Sequence, residues 1–349
     1  MRAVTFAGEG RVEVDDVPEP HVTKPDEAVV KVTKTAICAS DLHLLHGKTP
    51  GMRVGGVIGH EFVGVVTEAG SEVVGIEDGD RVLGSFLIAC GECPQCAQRR
   101  FNFCRNRRAL GLGALTGDLD GAQAEYVKVP TASLNLKALT GAIDLDDEHA
   151  LFAGDILATG FYAASISGIA AGDSAVVIGA GPVGLCSAMA LRRLQPQHLL
   201  ILDTDPARCS FARTLGFDAI DVSDADPQIE VAGATEGKMA DAAIDAVGAV
   251  PAVKTAMKCV RDGGRVAVVG VYGIERYELP MGMAWIRGID LRFSGMANVQ
   301  AEWDEALGAI AAGQLDPTTV ITHRLSLEQA VEGYEVFAAR EAMKVVLTP

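Results

Sequence analysis

Aromatic side chains are scarce in this chain of 349 residues: 11 Phe, 5 Tyr and 2 Trp make up 5% of it. Its cores must therefore be filled mainly by Val, Ala, Ile and Leu. Positive charge is also short. The 30 Lys and Arg face 46 Asp and Glu, a formal net charge of −16. Nucleic acid and anionic membranes are thereby excluded as expected partners, because phosphate contacts need the opposite balance. There is no long uninterrupted apolar run. The longest, Ala175 to Leu191, is broken by Gly179, Gly181, Pro182 and Gly184, and reads as strand, turn and helix rather than a membrane span. The N-terminus alternates from Met1 to Ala7 and then turns charged. It has neither an apolar core nor a small-residue cleavage site, so no secretory signal is expected.

Glycine, by contrast, is plentiful at 39 residues, which implies many tight turns and close backbone approaches. The length suffices for two domains, each with its own core. Cysteine is few but clustered. Of 8 cysteines, Cys90, Cys93, Cys96 and Cys104 follow the spacing C-x2-C-x2-C-x7-C. Four thiolates on short, tight loops are what a closed tetrahedral Zn²⁺ site requires. Clustered thiols without a secretory signal point to metal binding in a reducing cytoplasm rather than to disulfides. The arginines around this cluster (Arg99, Arg100, Arg105, Arg107 and Arg108) read as neutralising a tetrathiolate. Nucleic-acid binding is the alternative, and the acidity of the whole chain disfavours it.

The first ~150 residues read as β-rich. Strands are expected at Ala28 to Thr35, Glu61 to Ala69, Asp80 to Phe86 and Ala124 to Val129, forming a closed or nearly closed sheet. From about Ser174 to Phe293, strand-like and helix-like segments alternate. Ala175 to Ile178 and Leu199 to Leu202 are almost wholly apolar, as in parallel strands covered on both faces. That alternation predicts an α/β, Rossmann-type doubly wound sheet. Helical periodicity returns at Glu302 to Ala312 and Leu327 to Ala338, followed by a strand at Lys344 to Leu347.

Gly179-Ala180-Gly181-Pro182-Val183-Gly184 is G-x-G-x-x-G between a predicted strand and a helix over Val183 to Leu194. The three glycines allow a tight turn, the approach of a pyrophosphate and close helix packing, and the helix N-terminus faces the anion. Asp203 ends the next strand, 19 positions beyond Gly184. A carboxylate there accepts ribose hydroxyls and repels a 2′-phosphate, so NAD is expected over NADP. Asp205 competes for this role. Arg208 reads as a helix-surface residue rather than a reader of a 2′-phosphate.

Three further segments stand out: Ile37-Cys38-Ala39-Ser40-Asp41-Leu42-His43, Gly59-His60-Glu61 and Gly154-Asp155-Ile156. Together with Gly64, Gly70 and Val73, the cysteine cluster, the segment with Ala242, Ile244, Asp245 and Gly248, and Gly263-Gly264-Arg265, they resemble the medium-chain zinc alcohol dehydrogenase family. The likeness covers essentially the whole chain. Asp155-Ile156-Leu157 and Asp120-Gly121-Ala122-Gln123 further suggest the branch near formaldehyde dehydrogenases.

The resemblance implies two Zn²⁺ ions per chain. Cys38, His60 and Asp155 would hold a catalytic one, with Glu61 as an alternative third ligand or an acidic neighbour of it. Cys90, Cys93, Cys96 and Cys104 would hold a structural one. Asp41 would fix the His60 imidazole. Ser40 would receive the alcohol proton and His43 would pass it on, with Glu61 as the third catalytic residue. Gly179, Gly181, Pro182, Val183, Gly184, Asp203, Arg208, Val247, Val269 and Gly270 would line the NAD site. The family pattern has glycine after the ligand cysteine where this chain has Ala39.

The fold so implied is a GroES-like, β-rich catalytic domain over 1–154 and 292–349, with a Rossmann domain over 155–291 and the active site in the cleft between them. The activity implied is reversible hydride transfer from a small-molecule alcohol to NAD, in a homodimer or homotetramer. Two rivals remain at this point. One is a zinc-free quinone or enone reductase of the same superfamily. The other is a non-catalytic NAD- or zinc-binding relative.

Overall fold

The computed structural model describes residues 1–47, 51–143, 145–273 and 276–349. The chain forms two compact units, Met1–Ala158 with Asn298–Pro349, and Thr159–Ala297.

The first unit is built on the ten-residue strand Ala28–Ile37. Its apolar residues Ala28, Val30 and Val32 pack with Phe62, Val66, Val82, Val127 and Val129. Aliphatic side chains thus fill this core, as the shortage of aromatics requires. The sheet runs in the order His323–Ser326, Val345–Thr348, Ala28–Ile37, Glu61–Ala69, Arg81–Gly84, Leu136–Ala138. Tyr126–Val129 joins separately along the first half of Ala28–Ile37. The second half of that strand pairs with the C-terminal strand, which places Val345 opposite Ile37. On the other edge, Glu61 lies opposite Ala36. Three strands distant in sequence therefore end at one place. The path of strand pairing is open, ending at His323–Ser326 and Leu136–Ala138.

Helix Val299–Ala311 ties the returning C-terminal stretch to this unit. Asn298 Nδ2 donates to Arg99 O at 2.9 Å, and its Oδ1 accepts from Phe101 N at 3.0 Å. Gln300 Nε2 donates to Leu87 O at 2.6 Å, and Trp303 Nε1 to Ala153 O at 3.1 Å. Each of these bonds satisfies a polar group in or next to the segments that carry the cysteine cluster and Asp155. The expected helix from Leu327 divides into a short 3-10 turn, Leu327–Gln329, and the α-helix Ala330–Ala338.

The second unit is a six-stranded, wholly parallel sheet. In chain order its strands are Ser174–Ile178, His198–Asp203, Asp218–Asp221, Ala240–Asp245, Val260–Val268 and Asp290–Phe293, and in space they lie 3-2-1-4-5-6. Ser174–Ile178 is buried along its whole length, consistent with helices on both faces. Three of the crossover helices, Pro182–Arg193, Pro206–Thr214 and Pro227–Ala234, begin on proline, which fits the first helical turn because its missing N–H has no partner there. Asp290–Phe293 pairs with Val260–Val268 and keeps the chain with this sheet as far as Ala297. The return to the first unit therefore comes after residue 292. Among the described residues no single helix is long and apolar enough to cross a membrane.

Candidate metal centre and nucleotide loop

At the end of strand Ala28–Ile37 the chain turns into helix Ala39–Leu45, with Cys38 at its N-cap. The Cys38 backbone N–H donates to Asp41 Oδ2 at 3.0 Å. Asp41, itself buried, is also held by Gln123 Nε2 at 3.2 Å. Its other oxygen lies 3.1 Å from His60 Nδ1. This network assigns the ring: Nδ1 faces Asp41, and Nε2 faces Asp155 Oδ2 at 3.3 Å and Ser40 Oγ at 3.1 Å. Cys38 Sγ lies 3.6 Å from the same Asp155 oxygen. Gly59 lets His60 enter this cluster. Its φ is +85°, and a Cβ there would come within 2.3 Å of Gln123 Cγ, so no side chain fits without displacing the residue that holds Asp41. Tyr334 O–H donates to Gln123 Oε1 at 2.8 Å from the C-terminal helix.

One ligand atom each from Cys38, His60, Glu61 and Asp155 lies within 4.8 Å of the other three, and all four residues are buried. Burial, then the Asp155 carboxylate, pushes the Cys38 thiol above its usual range. Burial works against charge on His60, yet Asp41 and Asp155 raise it well above the ordinary imidazole. Both directions express one fact: acidic groups surround this point, and a divalent cation among them would reverse the balance. The four residues fit such an ion. Glu61 Oε1 is 2.5 Å from Lys344 Nζ, while Oε2 is buried without a hydrogen-bond partner among the described residues. His43 stands one turn beyond Ser40 on the same helix and is half-buried.

The second cluster is Cys90, Cys93, Cys96 and Cys104, again with one ligand atom from each within 4.8 Å of the rest. Sγ separations of 3.6 Å (Cys93 to Cys96) and 3.5 Å (Cys90 to Cys104) approach the ~3.8 Å edge of a tetrahedron with ~2.3 Å bonds. Backbone N–H groups, first that of Arg105, lower Cys93 to about 6, whereas burial first and the Cys93 side chain next raise Cys96 to about 12. Arg99, Arg100, Arg105 and Arg107 are exposed around the lobe.

In the second unit, Gly179 has φ +102°, and a Cβ on Gly184 would sit 1.8 Å from Gly179 O. Turn and helix are thus in closest contact. Gly181 caps the helix that starts at Pro182 and Val183. A Cβ on Gly181 would meet only the Arg208 guanidinium, at 3.6 Å, which leaves the open cradle a pyrophosphate needs. The Arg208 guanidinium therefore lies beside the glycine loop. Asp203 Oδ2 accepts from Ala180 N at 2.7 Å and Oδ1 from Asp205 N at 2.9 Å. Asp205 caps the next helix, accepting from Ala207 N at 2.9 Å and Arg208 N at 3.3 Å. Asp203 and not Asp205 faces the glycine loop.

Val247, Val269 and Gly270 lie beyond the carboxyl ends of the fourth and fifth strands, gathered by Asp245. The Asp245 side chain accepts from Val247 N, Gly248 N and Tyr272 O–H, and its carbonyl from Val269 N and Gly270 N. The sequence reading assigned no role to Lys344, Tyr334 or Tyr272. A lysine opening an otherwise apolar strand was the available sign of the first. Asp205-Pro206, a cap followed by proline, was the sign of the cap.

Comparison with known proteins agrees with this geometry. The family description "Alcohol dehydrogenase GroES-like domain" fits residues 24–138, and "Zinc-binding dehydrogenase" fits residues 182–312. An uncharacterised zinc-type alcohol dehydrogenase-like protein of Bacillus subtilis is 35% identical over 380 aligned positions, covering all of both chains. The solved alcohol dehydrogenase of Thermus sp. ATN1 superposes with TM-score 0.94 at 39% identity, covering 100% of this chain and 99% of that one. A zinc-binding dehydrogenase of Sinorhizobium meliloti, solved with NADP bound, gives TM-score 0.85 at 31% identity, covering 100% and 99%.

The raised Cys38 thiol sets a pH dependence. Without metal it holds its proton at neutral pH, and a metal ligand must be a thiolate. Zinc affinity at this centre should therefore rise with pH through the neutral range, by about tenfold per pH unit for each proton released. Calorimetry in buffers of different ionisation heat measures that proton count. Affinity independent of pH between about 6 and 8 would exclude the thiol as a ligand.

Proposed function

This chain belongs to the zinc-type, medium-chain alcohol dehydrogenase family, and from that premise we propose that it is a zinc- and NAD-dependent oxidoreductase. It would convert an alcohol to an aldehyde or ketone, reversibly, with transfer of a hydride to the nicotinamide. The buried set Cys38, His60, Glu61 and Asp155 carries this reading, because it offers three ligands of the types a catalytic zinc takes and a fourth group beside them. A quinone or enone reductase without zinc has no use for such a set.

Bound zinc supplies Lewis acidity that makes an alcohol hydroxyl easier to deprotonate, and the hydride leaves its carbon with the bonding pair. The chain's own residues handle the remaining charge. Ser40 Oγ, 3.1 Å from His60 Nε2, stands within the cluster and receives the hydroxyl proton. His43, one turn further along the same helix, passes it on, and an imidazole suits this because it titrates near neutrality. Asp41 Oδ1 lies beside His60 Nδ1 at 3.1 Å, which leaves Nε2 as the nitrogen turned to the cluster. The cysteine lobe, closed by four thiols, would hold a second zinc that stabilises the fold.

NAD is the cofactor the Asp203 carboxylate favours, since its negative charge opposes a 2′-phosphate. Arg208 beside Gly181 is the group that would serve the pyrophosphate. A second copy of the chain would bind along strand Asp290–Phe293, whose outer edge is unpaired among the described residues. Phe293 on this strand and Met281, Met283, Trp285 and Ile286 on the preceding helix Met281–Ile286 are 56–83% exposed, more large apolar surface than a monomer usually presents.

Four measurements test this reading. Metal analysis should give two zinc ions per chain, with NADH formed across a panel of primary and secondary alcohols, polyols and hydrated formaldehyde. His60→Ala or Cys38→Ser should then abolish turnover while NADH affinity stays within about threefold; equal loss of both would break the division of roles. Asp203→Ser should move the NAD/NADP preference toward NADP by about tenfold or more, ~1.4 kcal/mol. An unchanged ratio would remove Asp203 from the ribose site. Light scattering should show a dimer or tetramer, and Trp285→Glu should shift it toward monomer. A monomeric wild type would discard the interface.

A further inference from the structure

Lys344 is almost wholly buried, at 1% exposure, beside Glu61 at 0%. A lone ammonium is costly in such a place unless something there needs its charge. Its Nζ donates to Glu61 Oε1 at 2.5 Å and to Ile37 O at 3.0 Å. The strand register explains the meeting. Val345 pairs with Ile37 and Glu61 with Ala36, so Lys344, Cys38 and Glu61 leave the sheet at the same end. Glu61 is thereby held through one oxygen, while the other faces no partner among the described residues.

The position of Glu61 matters for the chemistry. Cys38, His60 and Asp155 already supply three ligands, and Glu61 has a ligand atom within 4.8 Å of each of theirs. If Glu61 bound as well, four protein ligands would close the site, as in a structural centre. We propose that Lys344 is a positioning residue that holds Glu61 away from a zinc bound by Cys38, His60 and Asp155, and so keeps the fourth position for substrate. This rests on the zinc reading above. Asp41 and Asp155 are acidic and have no attraction for Glu61, so Lys344 is the cation that competes with the metal for it. Neutralising Lys344 leaves the metal as the nearest positive charge.

The test uses the intact zinc-loaded chain and compares wild type with Lys344→Met, Lys344→Arg, Glu61→Gln and the double variant Lys344→Met/Glu61→Gln. The readouts are the rate of zinc release from this centre to a chelator, and the visible absorption of the cobalt-substituted protein with and without imidazole as an added ligand. The cysteine lobe serves as internal reference. Lys344→Met should slow release by about tenfold or more and abolish the cobalt response to imidazole. Lys344→Arg keeps the charge and should stay within about threefold of wild type, as should the double variant, in which Glu61 can no longer close the site. A folded Lys344→Met that releases zinc as fast as wild type would overturn the proposal, and so would an effect that survives in the double variant. Should Lys344→Met fail to fold, Glu61→Gln decides. Release within about threefold of wild type supports the proposal, and release more than about tenfold faster shows Glu61 already on the metal and overturns it. A wild type with zinc in the cysteine lobe alone would remove the premise and the proposal with it. Two zinc ions with unresponsive release kinetics would overturn the proposal alone.

Discussion

Negative groups crowded into a dry place repel one another, and the first unit of this protein is arranged around that difficulty. A thiol and the carboxyls of Asp41, Glu61 and Asp155 converge on one buried point. Water cannot screen them there, so cations must. The backbone brings these groups together from strand Ala28–Ile37, strand Glu61–Ala69, the turn at Asp155 and the C-terminal strand. Lys344 brings a fixed positive charge into contact with the cluster, and burial does not strip it, because Glu61 holds its pKa above the ordinary lysine value. Sheet register, the glycine at 59 and the Tyr334–Gln123–Asp41 chain are all means of holding like charges close.

How much of this could be read from the sequence depended on how local each feature is. The cysteine lobe was legible because its four ligands lie within one short stretch and backbone turns alone bring them together. The glycine loop was legible for the same reason: Gly184 meets Gly179 five residues away. The parallel sheet announced itself through apolar strands that alternate with helices. Cys38, His60 and Asp155 came into view only through family resemblance, since nothing local links them. Lys344 was invisible as a partner of Glu61, because the pairing of Val345 with Ile37 is a tertiary fact. Gln123 was quoted within a motif, but its use as the group that both fixes Asp41 and requires Gly59 depends on packing.

The nucleotide loop shows the converse, a choice that was local but needed coordinates. Asp203 and Asp205 are two residues apart, and either could have met a ribose. Capping separates them. Asp205 is engaged by two helix N–H groups, and Asp203 is oriented by one N–H on each side. The Asp203 carboxylate at the strand end is thus fixed in orientation, and in its proposed role little side-chain freedom need be lost on binding.

The two cysteine-bearing centres differ sharply in chain separation, and this sets an order of assembly. Cys90 and Cys104 are 14 positions apart, whereas Ile37 and Lys344 are 307 apart. On the logarithmic scaling of loop closure the second costs about 2.7 kcal/mol more entropy than the first. A nascent or denatured chain can therefore gather its four thiols around an ion while most tertiary structure is still missing. The other centre takes shape only when both ends of the sequence have docked, which makes it a marker of completed folding and the thiol lobe a foothold for it.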